Sequence, residues 1–321
     1  MSRVFGKFMP AIIGMIAICI ASLLPQAVYA AEKVRFAYLR AQTLAIAFYA
    51  NSRGYFKDEG LDIEFIEVQG GPAVVAAIAS GSADFGFAAP APIAAARQAG
   101  QAYRFFIGLQ WERSPDSVWG ALIASERSGV KALQDLAGKT IMVGPAGGLC
   151  ELAFRDWLAA SGVAWDKVKV LYTPFPQQQA GLELGNADAA CTVQPFHTAI
   201  ENSKVRPVTL AKGFLANNTV TYNVDGLFAS DAWLEKNGRV VEALKKALTR
   251  ARDDMRKDQS IGKRILLEEF KLPVALVEKL PNADSTISIA PADFKPVIDG
   301  MKRNGMLKDG VSERDIVYQG K

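Results

Sequence analysis

Histidine occurs once in the 321 residues, at His197. That scarcity excludes the histidine clusters that most hydrolytic metal centres need, and leaves a single imidazole for any acid–base role. Cysteine is nearly as scarce, with three in the chain, and no Cys-x-x-Cys or Cys/His cluster at metal-ligand spacing is present. An excess of one charge is missing too. The 37 Lys and Arg stand against 33 Asp and Glu, so nothing electrostatic draws the chain to nucleic acid or an anionic membrane. Long hydrophobic runs are absent apart from Ala11 to Leu24, whose 14 residues are too few to span a bilayer comfortably.

That run belongs to an export signal. Arg3 and Lys7 precede it, and Val28-Tyr29-Ala30 puts small residues at the −3 and −1 positions of a cleavage site before Ala31. Cys19 follows Ile18 inside the run, where a lipoprotein signal has a small residue, so it is not read as a lipid anchor. Residues 1–30 are expected to be removed, leaving a soluble, exported chain with 35 cations against 33 acids. Its 291 residues are enough for about two domains. Cys150 and Cys191 survive processing. A disulfide and a pair of small buried thiols both remain open for them.

One pattern occurs twice. Gly81-Ser82-Ala83-Asp84 leads into the apolar run Phe85 to Ala89, and Gly185-Asn186-Ala187-Asp188 leads into Ala189 to Val193. Each copy ends a strand–helix–strand–helix–strand segment. In the first, strands are expected at 34–39, 61–68 and 84–88, with helices at 44–52 (N-capped by Thr43) and 73–80. In the second, strands fall at 140–143, 168–173 and 189–193, with helices at 150–160 and 177–184. Such alternation predicts parallel sheets covered by helices. The stretches 118–124 and 220–229 read as two crossovers between the lobes. Beyond Asp231 the chain reads as mostly helical, with Val240, Val241, Leu244 and Leu248 on one face and Lys245, Lys246, Arg250 and Arg252 off it.

In open α/β sheets, ligands sit beyond the carboxyl ends of the strands. That rule selects Arg40 to Thr43, Gly70 to Pro72, Ala89 to Pro92, Gly144 to Gly148, and Gln194 to His197. Several of these open helices, whose free N–H groups favour an anion. The glycines Gly70, Gly71, Gly144, Gly147 and Gly148 admit a ligand close to the backbone, and a bulky residue at Gly147 is expected to abolish binding. Arg40 offers a bidentate cation, Gln42 and Thr43 side-chain hydrogen bonds, Trp111 a stacking face. Pro90, Thr192 and Gln194 complete the candidate set. His197, alone at a helix start, reads as structural.

The segments RGYFKDEGLDIE, GSADFG, DLAGKTIMVG and NADAACTVQPF, in that order behind an export signal, resemble the periplasmic substrate-binding proteins of the nitrate/sulfonate/taurine ABC-importer family. The likeness runs from about Val34 to Phe196. It implies a two-lobed type II periplasmic binding protein fold, with two parallel-sheet lobes joined by two crossover strands and closing by hinge bending over one small molecule. Lobe one is placed at 31–118 plus 227–321 and lobe two at 119–226. The implied partners are a small, anionic ligand, an ABC permease and its ATPase. The implied protein is a periplasmic monomer that makes and breaks no bond and needs no cofactor or metal. Sulfonate and taurine binders of this family often carry acids before the prolines of the two repeats, where this chain has Ala89 and Gln194. That departure shifts the expected ligand from taurine to a simple anion: a sulfonate, sulfate ester, aromatic carboxylate or nitrate.

Three enzyme or regulator readings stand against this one. A relative that makes the thiamine pyrimidine from its own histidine and pyridoxal phosphate carries a CCCFC-type motif that this chain lacks, although binding of a pyrimidine vitamin precursor stays open. The loop from Gly144 to Gly148 does not fit G-x-G-x-x-G, which argues against a dinucleotide enzyme. A LysR-type effector domain would share the fold but not the export signal.

Overall fold

The computed structural model describes residues 31–113, 119–215, 221–282 and 285–320. The expected export signal, with Cys19, and the first residues of both expected crossovers, Val118 and Val220, lie outside the described residues.

Two five-stranded sheets are built on one plan. The first half of the chain supplies β1 (Glu32–Tyr38), β2 (Leu61–Glu67), β3 (Phe85–Ala88) and β4 (Tyr103–Arg113). The chain then crosses to β5 (Gly120–Ser125), β6 (Thr140–Val143), β7 (Lys169–Tyr172), β8 (Ala189–Val193) and β9 (Pro207–Lys212), and returns as β10 (Thr221–Ser230). The sheet orders are β2-β1-β3-β10-β4 and β7-β6-β8-β5-β9. In each, the strand that has just crossed sits in fourth place. Three strands of each sheet run parallel, as the alternation predicted. The returning strand β10 runs antiparallel to β3 and β4, and β5 runs antiparallel to β8 and β9. Both sheets are therefore mixed rather than purely parallel. The expected lobe boundary at 226/227 cuts through β10, which pairs with β4 over its whole length.

The repeated Gly-x-Ala-Asp pattern has a structural meaning. Asp84 accepts the backbone N–H of Arg35 through Oδ2 at 2.8 Å, while its own N–H donates to Arg35 O at 2.9 Å. Asp188 does the same to Thr140, at 2.8 Å in both directions. Each aspartate thus locks the start of the third strand to its parallel neighbour, β1 or β6. Register is strongly specified where strands are buried on both faces, and these two carboxylates set it.

Helices cover the parallel strands. In the first lobe a short turn, Gln42–Leu44, leads into α1 (Ala45–Ser52), followed by α2 (Tyr55–Asp58), α3 (Gly71–Ala79) and α4 (Pro90–Gln98). In the second lie α5 (Leu149–Ser161), α6 (Phe175–Leu184) and α7 (Phe196–Glu201). The C-terminal part forms α8 (Asp231–Lys236), α9 (Gly238–Lys257), α10 (Ser260–Glu268), α11 (Val274–Val277) and α12 (Lys295–Arg303). The apolar stripe of α9 is buried, and the off-stripe cations are not: Arg250 pairs with Asp58 at 3.0 Å. Stacked Phe36 and Phe85, 4.6 Å apart, centre the first core.

The lobes meet behind the cleft. Ala91 and Ala94 of α4 and Val297 and Met301 of α12 share one buried cluster with Leu152 and Ala153 of α5. Arg303 and Asn304 both donate to the buried Asp156 on α5, at 2.7 and 2.9 Å.

Candidate functional site

The carboxyl ends of the parallel strands from both sheets open on one cavity of about 110 Å³. At roughly 10–15 Å³ per water-sized position that is space for about ten such positions. All five segments selected by the strand-end rule reach it, through Ala41 to Thr43, Gly70 to Pro72, Ala89 and Pro92, Gly144, Pro145 and Gly148, and Gln194. Trp119, Phe175 and Phe214 add aromatic walls from the second lobe's side, and Phe87 faces them from β3.

Two glycines explain how the walls come together. Gly70 has φ +94°, and a β-carbon there would stand 2.5 Å from Pro145 Cγ across the cleft. The lobes meet at this point because Gly70 has no side chain. A β-carbon on Gly144 would stand 2.5 Å from Phe175 Cζ. Gly144, which lines the cavity, therefore also seats that aromatic ring.

Five sequence candidates fall away from the cavity lining. Arg40 is held by Glu67, through Nε at 3.1 Å and Nη2 at 2.7 Å, and its Nη1 donates to Phe270 O at 3.0 Å. The guanidinium is spent on its own lobe, and it holds the Glu67 carboxyl below its usual range. Gly147 has open space where a β-carbon would go, and its N–H donates to Glu151 Oε2 at 2.9 Å. Trp111 sits opposite Asn223 in the β4–β10 ladder, Thr192 is buried within β8, and Pro90 is a first-turn proline of α4 whose place in the lining goes to Ala89 and Pro92. His197 is buried beside Glu201, with Nε2 3.1 Å from Oε1, in line with a structural role.

Of the cavity's polar side chains, sequence reading found Gln42 and Thr43 but missed Gln110 and Asp225. Asp225, in the middle of β10, is nine-tenths buried. Its Oδ2 accepts the Thr43 hydroxyl at 3.1 Å, so Thr43 reaches across to β10 rather than capping a helix. Burial pushes the Asp225 carboxyl up to about 8, against the pull of Thr43 and of the Gln110 N–H. Gln42 donates from Nε2 to Pro281 O at 2.5 Å, and Gln110 from Nε2 to Trp111 O at 3.0 Å. Those bonds orient both amides and leave their Oε1 atoms, like Asp225 Oδ1, buried without a hydrogen-bond partner. The one carboxyl in the cavity lining among the described residues thus comes from the returning strand rather than from the two repeats, which have Ala89 and Gln194 before their prolines. The only signal for it in sequence was a carboxylate inside the apolar strand Val224-Asp225-Gly226-Leu227. No Lys, Arg or His lines the cavity among the described residues.

Cys150 also lines the cavity, with Cys191 behind it on β8. Both are buried and unbridged. Burial and the contact with Cys150 push the Cys191 thiol well up.

Comparison with known proteins agrees with this architecture. The family model described as NMT1/THI5 like matches residues 42–260. The chain is 24% identical over 238 residues to a putative aliphatic sulfonates-binding protein of Escherichia coli (strain K12), covering 72% of this chain and 69% of that one. It is 27% identical over 123 residues to the nitrate/nitrite binding protein NrtA of Nostoc sp. (strain PCC 7120), covering 38% of this chain and only 27% of that protein's length. Among solved structures, the alkanesulfonate-binding protein SsuA from Xanthomonas axonopodis pv. citri bound to MOPS superposes with a TM-score of 0.75 at 21% identity, over 90% of this chain and 99% of that one. The periplasmic nitrate-binding protein NrtA from Synechocystis PCC 6803 gives 0.69 at 13%, over 87% and 83%. The two-lobed α/β fold is common to this chain and both of those solved structures.

Proposed function

The chain belongs to the NMT1/THI5-like family, and from that footing we propose that it is the solute-binding component of an ABC importer. In this reading residues 1–30 export it to the periplasm, where as a monomer it captures one small organic solute between its lobes. It then docks on a membrane permease driven by an ATPase, making and breaking no bond itself. The observation that carries the reading is the cavity shared by the strand ends of both sheets. Relatives named as binding proteins for nitrate or sulfonates support it, and no helix among the described residues is long and apolar enough to cross a membrane.

The walls favour an organic solute over nitrate, because Phe87, Trp119, Phe175 and Phe214 need an apolar body to cover them. An acidic end, such as a sulfonate, sulfate ester or carboxylate, is served by the first-turn N–H groups of α3 at Gly71 and of α5 at Leu149 and Cys150, which have no helical partner. The test is calorimetric melting of residues 31–321 with a panel of alkyl and aryl sulfonates, aromatic carboxylates, amines, pyrimidines and nitrate. A bound solute at a hundred times its Kd adds about 2.7 kcal/mol, and Trp119→Ala should cut that gain to less than half. A solute that stabilises Trp119→Ala as much as the parent would sit outside the cleft and overturn the reading.

A further inference from the structure

Side chains that line the cavity carry buried hydrogen-bond acceptors with no partner. Gln42 and Gln110 are each 3% exposed and their Oε1 atoms have no partner, while Asp225 adds a free Oδ1. The orientation of both amides is set by their donation to Pro281 O and Trp111 O, so neither turns to offer a donor. A buried acceptor left unmade is costly, and two amide acceptors beside a carboxyl that becomes a third once its proton leaves have a common explanation in the lining of a ligand-sized cavity. Resting on the solute-binding reading above, we infer that Gln42, Gln110 and Asp225 form an N–H-accepting subsite that selects a solute bearing an ammonium, amidinium or amino group on a flat apolar body. The apolar body lies between Trp119, Phe175 and Phe214, and its N–H end points at β10.

The charge balance agrees. Because no cation lines the cavity among the described residues, a purely anionic solute meets one carboxyl and no counter-ion. With its carboxyl pushed up to about 8 by burial, Asp225 holds its proton at neutral pH before a solute arrives. An arriving ammonium expels that proton and replaces it as the partner of the carboxylate. The other ionisable groups near it are few. Cys150 lines the cavity, Glu112 lies further along β4 opposite Tyr222, and Asp293 bonds to Asn223 two positions before Asp225.

The test compares two probes that differ by one atom, 4-(aminomethyl)benzenesulfonate and 4-ethylbenzenesulfonate, by isothermal titration calorimetry on residues 31–321. The amine is expected to bind at least about tenfold tighter, and near neutral pH to release close to one proton, read from the change of heat between buffers of different ionisation enthalpy. Asp225→Asn, nearly isosteric and checked by its own melting curve, should bring the two probes to similar affinity and abolish the proton release. Equal or tighter binding of the ethyl probe by the parent protein overturns the subsite while leaving solute capture intact. A preference that survives in Asp225→Asn also overturns it, as does binding of neither probe, and in that last case the panel melt decides the capture reading separately.

Discussion

Replacing Asp225 by Asn should stabilise the unliganded protein progressively as the pH rises. The carboxyl titrates near 3.8 in an ordinary setting and is pushed up to about 8 by burial. Between those values the folded chain holds a proton that the unfolded chain has released, so this group makes stability fall as pH rises, by about 1.4 kcal/mol per pH unit. From about pH 5 to about pH 7.5 the fall amounts to roughly 3 kcal/mol. Asparagine binds no proton in either state and has no such slope. Carboxylates held low by their partners, such as Glu67 beside Arg40 and Asp315 beside Ser312, act in the opposite sense, losing stability as pH falls. They are common to both proteins and cancel in the difference. The assay is calorimetric or urea unfolding of both proteins across that range. For a chain of this size, about 3 kcal/mol corresponds to a gap in Tm that widens by roughly 6 °C. Stability curves that stay parallel would refute the reasoning, because they would mean that the carboxyl is hydrated in the fold and that this wall of the cavity is wet.

Three further outcomes are expected. Arg40→Ala should leave solute affinity unchanged within twofold and cost at most about 1 kcal/mol of stability, since its pair with Glu67 is partly exposed; a large loss of affinity by titration would bring Arg40 back to the site. Gly70→Ala and Gly147→Leu both strain a positive φ, but only the first puts a β-carbon against Pro145. Gly70→Ala should therefore weaken binding at least about tenfold and hold the lobes apart in small-angle scattering, while Gly147→Leu binds normally; equal behaviour of the two would remove the Gly70–Pro145 contact from closure. Trp119→Ala should weaken solute binding by about 1.5–3 kcal/mol, the worth of one buried aromatic wall, and an unchanged Kd would show that the solute does not reach it.

Much of this was legible before any coordinate. Strand boundaries followed from β-branched and aromatic runs closed by glycine, and the matched plan of the two lobes followed from the repeated Gly-x-Ala-Asp, because a pattern repeated with its strand reports a repeated unit. The errors share a cause. Arg40 looks like an anion anchor in sequence, yet Glu67 lies on the adjacent parallel strand, 27 residues on, and claims two of its three guanidinium nitrogens. Gly147 looks like the most open point of its loop, and it is open, but towards solvent and Glu151 rather than the cavity.

The amino-acid sequence by itself determined the two-lobed α/β plan and the five loops that meet in the cleft, because both depend on local periodicity and on the ends of strands. Only the tertiary structure decided which side chains those loops turn inward. Thr43 and Asp225 are bonded across 182 residues, and the acid that faces the cavity arrives on a strand returning from the other lobe. No local pattern encodes such a meeting. It exists because β10 is inserted between β3 and β4, which carries a carboxyl into an interior where burial keeps it protonated.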